Sequence, residues 1–509
     1  MKKRATFGVI GLSLVAVIVA VIVAVINAVL ARQKTAKRIE KLLMKKPLMA
    51  AATLLLAAQA HAATWQFKWT PQAGEKTPVV EITPLKYGKT WAYAFQEDDG
   101  ATGALTVTQP LFARYEWNTA PPGVAGGLKK PFVGTAAIIL GSVGRNSASL
   151  NLDQLAELKS KGWSIINHSF WHSGVHWGDP ATWNKPEDYR REMFWSQTFY
   201  AELIGNGRGA TDFVFPNGTQ AYGAYLLPFG MRSGSRVSGS SSRNLLDAKY
   251  NPLDLSRNYL DEGAWKDADG ALRDLPQAPK PGDFVIDFTH GINADAASPN
   301  NKRWVARLDH ISKTWGPPGD NSMWVAPTDE VVNYNLAARE AKVTIKAGSL
   351  VVTIPDTLPG SALTLKISGL NPKTVLKAPV GGALFRKDDT AWLTTPVIGT
   401  LGAPPLAPRV RRIYTGEVKD FKWEKPMAIA GVRIRRDGKL ADDFVLKIDA
   451  VTPDGTIENI AISDRAKLDK EWGAVLYPVM PDRPAITARE LRLTNDKGLT
   501  NMEVWAVVP

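Results

Sequence analysis

The feature that most limits the fold is an alternation of short apolar runs and helix-like segments between residues 91 and 340. Asn151 and Gln154 form the pattern of a capping box, which begins one helix. Pro186 begins a longer helix that is expected to end near Leu203. The apolar runs have the length of strands, and they are Trp91–Phe95, Thr135–Leu140, Trp163–Asn167, Asp212–Phe215, Phe284–His290 and Met323–Ala326. Such an alternation predicts an α/β fold with a parallel sheet.

Polar side chains collect where these strands end. The positions are Asp98, Asp99, His168, His172, Asn217 and His290. In parallel α/β folds, polar residues at the carboxyl ends of strands usually line the active site. The sequence therefore predicts that these side chains belong to one site.

The histidines point to a metal ion. Three of the six histidines of the chain fall within Asn167–His176. His168 and His172 are four residues apart, a spacing that places two imidazoles on one side of a helical turn. The chain has no cysteine, which excludes thiolate ligands, thiolate nucleophiles and disulfides. One carboxylate and two imidazoles are the ligands that a protein supplies to a catalytic zinc-type site. His176 is expected to pack or to stack on substrate and not to bind the metal.

Residues 1–63 have the composition of a membrane or targeting region. Phe7–Leu30 is an uncharged apolar run, long enough to span a bilayer. Residues 44–62 have the layout of a secretory signal peptide, with a basic start, an apolar centre and small residues at the end. Either Met44 is the true initiator or Phe7–Leu30 is a membrane anchor. In both cases we expect the remainder to be exported to the periplasm, the cell envelope or the outside of the cell.

The pattern changes after residue 341 to short alternating strands separated by turns. Residues 341–401 predict a small β domain. Residues 402–509, which begin with the linker-like Gly402–Pro408, predict a β-sandwich of the kind that can bind carbohydrate. The formal charge of +13 comes partly from the targeting region, and no nucleic-acid-binding motif accompanies it.

The strand-end residues resemble the motifs of the polysaccharide deacetylase family, which are carbohydrate esterases with a NodB-homology domain. Phe95 leads, after two additional residues, into Asp98-Asp99-Gly100. His168–His172 is similar to the His-Ser/Thr-x-x-His motif, and Phe288-Thr289-His290 to Leu-x-His. Val214–Gly218 matches the Arg-x-Pro-aromatic-Gly loop only in its Pro and Gly. The resemblance covers residues 88–340.

The resemblance implies a distorted (β/α) barrel as the deacetylase domain, which we assign to residues 64–340. It implies that metal-activated water removes acetyl groups from an acetylated polysaccharide. It assigns Asp98 as the general base and His290 as the general acid. The implied ligands of the divalent metal are Asp99, His168 and His172, with zinc as the first candidate and cobalt, nickel or manganese as alternatives. Asn217, with Pro216 and Trp171, is expected to contact the oxyanion or the substrate.

Two departures from the family pattern matter. Val214 stands where the family has the arginine that orients the base, and Arg257 is a candidate substitute. Glu97 lies between the aromatic residue and Asp98, and we expect it to be solvated because one strand face should point outward.

Two other hypotheses stay open. A catalytically impaired glycan-binding protein on the same scaffold would explain the missing arginine. A hydrolase of another non-peptide C–N bond would use the same site, although export and a carbohydrate-binding domain argue for a polymer.

Overall fold

A computed structural model of the chain describes residues 62–172, 186–261, 268–346, 348–405, 409–436, 444–464, 472–473 and 485–508. The predicted apolar segment, the predicted signal peptide except for Ala62, and His176 lie outside the described residues. No helix within the described ranges is both long and apolar enough to cross a membrane.

A nine-stranded parallel sheet, here called the barrel sheet, carries the strands that the sequence predicts. In spatial order it contains Leu255–Ser256, Ser233–Arg236, Asp212–Val214, Ser164–Asn167, Thr135–Ile138, Trp91–Glu97, Phe284–Thr289 and Asn258–Tyr259, and Met323–Val325 pairs with Trp91–Glu97. The first and last strands of this order are separated in sequence only by Arg257. One segment thus pairs with both edges, and the sheet is a nearly closed barrel. The predicted parallel α/β arrangement is confirmed.

Helices connect several of these strands. The α-helices among the described residues are Gln109–Phe112, Leu152–Ser160, Pro186–Leu203, Pro299–Trp315 and Thr328–Glu340, and Ala104–Thr108 is a π-helical segment. The predicted capping box is confirmed: Asn151 Oδ1 accepts a hydrogen bond from Gln154 N at 2.9 Å, and Gln154 Oε1 accepts one from Asn151 N at 3.0 Å. Short 3-10 turns include Leu140–Ser142 and Pro216–Gly218.

The strand Trp91–Glu97 is buried along its whole length. Phe95 packs against Phe112 and Trp304, with ring centroids 4.4 and 5.3 Å away. Both faces of a strand in the middle of a parallel sheet are covered, which makes such strands apolar throughout. The prediction that Glu97 is solvated is therefore wrong: its side chain is only 1% exposed. Burial, with a contribution from the charge of Asp98, raises the pKa of Glu97 to about 8.

Two smaller antiparallel sheets pair strands that precede the barrel sheet in sequence with strands that follow it. One sheet contains Ala63–Lys68, Ser349–Ile354 and Lys342–Lys346. The other contains Ala383–Lys387, Thr390–Thr394, Thr364–Ser368 and Val79–Ile82. The strands between residues 63 and 82 therefore pair with strands of the small β region. The predicted domain bounds stay a prediction. A further two-stranded ribbon pairs Glu116–Asn118 with Lys129–Pro131.

The remaining strands form one connected antiparallel sheet, here called the terminal sheet. Its strands are Val410–Gly416, Leu499–Val507, Phe421–Arg436, Ile486–Thr494, Val445–Val451, Ile457–Asp464 and Trp472–Gly473. The predicted all-β character is confirmed. These seven strands form one hydrogen-bonded network, whose long strand Phe421–Arg436 is interrupted by irregularities such as the one between Ile429 and Gly431. The arrangement of the network as a sandwich stays a prediction.

A buried ion pair fixes the helix Pro299–Trp315 to the barrel wall. Arg307 Nε and Nη2 lie 2.6 and 2.7 Å from the two carboxylate oxygens of Asp287, and neither residue is exposed. Tyr93 OH and Asn258 Nδ2 also donate to Asp287, at 2.8 and 2.9 Å. These bonds join three strands to one helix. A fully hydrogen-bonded charge pair tolerates burial, but either partner alone does not.

Arg307→Met should lower the free energy of unfolding by about 3–5 kcal/mol, because it leaves Asp287 buried without its cation. Tyr93→Phe removes one hydrogen bond to the same carboxylate and should cost about 1.5–3 kcal/mol. Urea denaturation of both variants measures the difference. Equal losses would contradict the assignment of Arg307 as the residue that compensates the Asp287 charge.

Candidate active site

The three predicted metal ligands lie together at the carboxyl end of the barrel sheet. Asp99 Oδ1 is 3.4 Å from His168 Nε2 and 3.6 Å from His172 Nε2. All three ligand atoms lie within 4.8 Å of one another. Ligand atoms about 2.0–2.1 Å from a tetrahedral zinc ion are roughly 3.4 Å apart, so these separations fit one shared ion. Asp99 Oδ1 is shielded from solvent and has no hydrogen-bond partner among the described residues, which also fits an oxygen that faces a cation.

The protonation of both imidazoles suits metal binding. His168 Nδ1 lies 2.9 Å from the carbonyl oxygen of Val214. Because a carbonyl can only accept, Nδ1 carries the proton and Nε2 presents its lone pair to the ligand cluster. Burial lowers the pKa of His172, which favours the neutral form of that imidazole. The strand that ends at Val214 thus orients one of the predicted metal ligands.

The segment His168–His172, here called the metal loop, is not helical. Ser169 and His172 have φ angles of +65° and +67°, which lie in the left-handed region. Asn167 Oδ1 accepts from Ser169 N, and Ser169 Oγ accepts from His172 N, both at 2.8 Å. Such side-chain bonds to nearby backbone compete with helix formation. The predicted helical turn is therefore wrong, and a tight irregular turn brings the His168 and His172 ring centroids to 4.7 Å instead.

A buried carboxylate supports this turn. Glu192 is fully buried on the helix Pro186–Leu203. Its Oε2 accepts hydrogen bonds from Phe170 N at 2.9 Å and from Trp171 N at 2.8 Å. The carboxylate thereby satisfies two backbone amides that the irregular turn leaves without helical partners. Sequence reasoning missed Glu192, and the available signal was an acidic residue beside the apolar run that begins at Met193.

Asp98 is paired with Arg257. Arg257 Nη1 donates to Asp98 Oδ1 at 2.8 Å and to Gln96 Oε1 at 2.9 Å. Each side chain of the ion pair is only 3% exposed. The guanidinium carbon lies 3.7 Å from the ring centroid of Phe288. Arg257 therefore places a cation at Asp98, where the arginine that Val214 replaces was expected.

His290 is paired with Asp261, a residue that sequence reasoning also missed. His290 Nδ1 lies 2.6 Å from Asp261 Oδ2, and His290 N and Thr289 Oγ1 donate to Asp261 Oδ1 at 2.7 and 2.6 Å. The hydrogen bond to Asp261 raises the pKa of His290 to about 8. Burial raises the pKa of Asp261, but the hydrogen bonds from His290 and Thr289 outweigh it and bring the value to about 2. His290 is therefore protonated at neutral pH.

Pairing between the parallel strands Trp91–Glu97 and Phe284–Thr289 brings His290 beside Asp98. Thr289 pairs with Glu97 across two parallel strands, and the Thr289 carbonyl accepts from Asp98 N at 3.0 Å. Each of these two strands then places its next residue, Asp98 or His290, at the same end of the barrel. The predicted metal ligands and both flanking pairs consequently belong to one site.

The expected substrate-contacting residues lie around this end of the barrel. Pro216 is buried and Asn217 is exposed, in the turn that follows the strand ending at Val214. Asn217 has a φ of +51°. Trp171 is partly exposed within the metal loop. Their contacts with substrate stay a prediction.

Comparison with known proteins gives only remote similarity. No protein-family model matches the chain, and no curated protein matches it. The Streptococcus pyogenes deacetylase PplD in complex with acetate aligns at 16% identity and a TM-score of 0.22, over 29% of this chain and 56% of that one. A polysaccharide deacetylase from Bacillus cereus aligns at 10% identity and a TM-score of 0.23, over 42% of this chain and 50% of that one.

A third solved structure, SpGH29, aligns at 10% identity and a TM-score of 0.21, over 86% of this chain and 100% of that one. The chain spans about half the length of the two deacetylases that it matches. Similarities at these TM-scores do not assign a family, so the function has to be inferred from the site itself.

Asp261→Asn should lower the pKa of His290 from about 8 toward its ordinary value of about 6.5, because the amide carries no charge. NMR titration of the imidazole resonances measures this change, and the His310 resonances serve as the internal control. Since the folded-state pKa of His290 is raised, its contribution to stability is complete below about pH 6.5 and is lost as the pH rises through about 8. A His290 pKa that is identical in both proteins would contradict the pairing.

Proposed function

We propose that the chain is an exported, metal-dependent deacetylase that hydrolyses acetyl groups of an acetylated polysaccharide. One observation carries the proposal: the Asp99, His168 and His172 cluster shares one end of the barrel with an Asp98–Arg257 pair and a His290–Asp261 pair. Acyl hydrolysis at neutral pH needs an electrophile, a proton acceptor and a proton donor. The signal-peptide pattern of residues 44–62 supports export.

Asp99, His168 and His172 would hold the divalent ion. Zinc is the first candidate because it accepts this nitrogen and oxygen donor set with room left for other ligands, and cobalt, nickel and manganese are alternatives. When bound, such an ion lowers the pKa of water and polarises a carbonyl group.

Asp98 is the residue that we assign as the general base. Arg257 occupies Asp98 Oδ1, so Oδ2 is the oxygen that would accept the proton of the attacking water. The backbone bond from Asp98 N to Thr289 and the ion pair together fix the carboxylate in position. A base held in this way loses little orientational freedom when the substrate binds.

His290 is the residue that we assign as the general acid. Because Asp261 accepts from Nδ1, the proton on Nε2 is the one available to the leaving amine or alcohol. A pKa of about 8 keeps this donor charged at neutral pH. The backbone amide of Asn217 would stabilise the oxyanion, as preorganised donors do in acyl transfer.

The Asp98–Arg257 pair bears on the alternative that the protein only binds glycans. That hypothesis depends on a missing arginine beside the base, and Arg257 supplies a guanidinium there from the junction between two other strands. The pair therefore favours catalysis. Hydrolysis of another C–N bond would use the same acid and base, and substrate tests separate it from deacetylation.

The full chain should release acetate from acetylated chito-oligosaccharides or from acetylxylan. A chelator should abolish the release, and zinc or cobalt should restore it. Asp98→Asn should lower kcat by about 10²–10⁴-fold, because the amide cannot accept the proton of the attacking water. Asp454→Asn, a change at an exposed turn carboxylate, is the matched control and should leave kcat unchanged. In the wild type, kcat should fall as the pH rises through about 8, since His290 then loses its proton.

Each alternative has its own outcome. Release of no acetate from any acetylated polymer, together with intact glycan binding, would support the non-catalytic hypothesis. Hydrolysis of a cyclic amide without acetate release would support the other C–N hydrolase.

A further inference from the structure

We infer that the terminal sheet braces the metal loop through Arg433, which acts as a positioning residue for the metal ligands. The inference rests on the proposed function, because it concerns the same metal site. It goes further in assigning a role to the C-terminal β region other than carbohydrate binding.

A series of hydrogen bonds, the first from the side chain of Arg433 and the others between backbone groups, leads from Arg433 to the metal loop. Arg433 Nη2 donates to the Gly141 carbonyl at 2.9 Å. Gly141 N donates to the Phe170 carbonyl at 2.8 Å, and Leu140 N donates to the Ser169 carbonyl at 3.0 Å. The turn Leu140–Ser142 thus lies directly against the metal loop, and Arg433 holds the same turn from the terminal sheet.

Aromatic rings make a second, independent connection. Trp505 of the terminal sheet stacks on Phe199, with ring centroids 4.1 Å apart and planes inclined by 18°. Phe199 in turn lies edge-on against Phe170 of the metal loop at 4.8 Å. Phe199 belongs to the same helix as Glu192, whose carboxylate accepts two amide hydrogen bonds from the loop. The terminal sheet therefore packs against both supports of the loop.

The charge of Arg433 is buried in this contact. Arg433 is 2% exposed and Glu503 is 4% exposed. Glu503 Oε2 lies 3.6 Å from Arg433 Nη1, and Glu503 Oε1 accepts from Arg412 Nη1 at 3.0 Å. A buried cation that donates to a backbone carbonyl indicates a fixed attachment.

The turn has little room to move without displacing the loop. A Cβ atom at Gly141 would lie 2.5 Å from the Phe170 carbonyl oxygen and 2.6 Å from Trp171 Cε3. Backbone and ring are thus in close contact at Gly141, so that a shift of the turn is transmitted to the metal loop. Residues that orient metal ligands from outside the coordination sphere affect metal affinity even though they never contact the ion.

Titration of the full chain with Co²⁺, followed by visible absorption, tests the inference. The wild type should bind one ion, and Arg433→Met should bind Co²⁺ about tenfold more weakly with altered visible bands. Arg412→Met is the matched control, because it breaks the other ion pair of Glu503 in the same sheet. The Arg412 side chain donates to Glu503 and not to the Gly141 carbonyl. The Co²⁺ affinity of this variant should stay close to that of the wild type, because Arg433 and its hydrogen bond to the Gly141 carbonyl are kept. Thermal denaturation of both variants measures the stability loss separately.

The outcomes are distinguishable. If Arg433→Met binds Co²⁺ with wild-type affinity and spectrum, the inference is overturned and the proposed function is unaffected. If the wild type binds no Co²⁺, the proposed function and the inference are both overturned. Should Arg433→Met not fold, Gly141→Ala perturbs the same turn and should weaken Co²⁺ binding about tenfold. Unchanged Co²⁺ affinity in Gly141→Ala would then overturn the inference.

Discussion

The ion pair between Arg257 and Asp98 links the segment that closes the barrel to the residue that we assign as the general base. The segment 255–259 pairs with one edge strand through Leu255–Ser256 and with the other through Asn258–Tyr259. Arg257 stands between the two pairings, and its guanidinium reaches Asp98 across the interior. Closing the sheet therefore also delivers a cation to the carboxylate at the end of a different strand. Removing either partner would leave the other as an uncompensated buried charge and would destabilise the fold.

Each proposed reactive side chain is held by a partner from another part of the barrel. The Val214 carbonyl orients His168, Arg257 orients Asp98, and Asp261 orients His290. Buried polar groups without partners are costly, so these bonds also remove a penalty that the site would otherwise impose on folding. The arrangement is preorganised, because the protein has already fixed the donors and acceptors before substrate arrives.

Part of the fold and of the candidate site could be predicted from the sequence, because the sequence patterns that indicate them are local. Strand-length apolar runs, a capping box and polar residues at strand ends depend on neighbours within a few positions. They predicted six of the nine strands of the barrel sheet and the ligand cluster. Asp261 and Glu192 could not be predicted, since each acts on residues 20 or more positions away and belongs to no motif. Arg257 was only a candidate, because its contact with Asp98 spans 159 positions and depends on how the barrel closes.

Two predictions failed for physical reasons that sequence patterns do not show. Glu97 was expected in solvent, but a central parallel strand is covered on both faces. The metal loop was expected to be helical, but hydrogen bonds from Asn167 and Ser169 favour an irregular turn. The imidazoles still converge, because the tight turn brings them as close as a helical turn would.

The most direct test of the metal site is anomalous diffraction from crystals of the protein grown with zinc. The account predicts one strong anomalous peak about 2.0–2.2 Å from Asp99 Oδ1, His168 Nε2 and His172 Nε2. The absence of a peak among these three atoms, with zinc bound elsewhere or not at all, would contradict it.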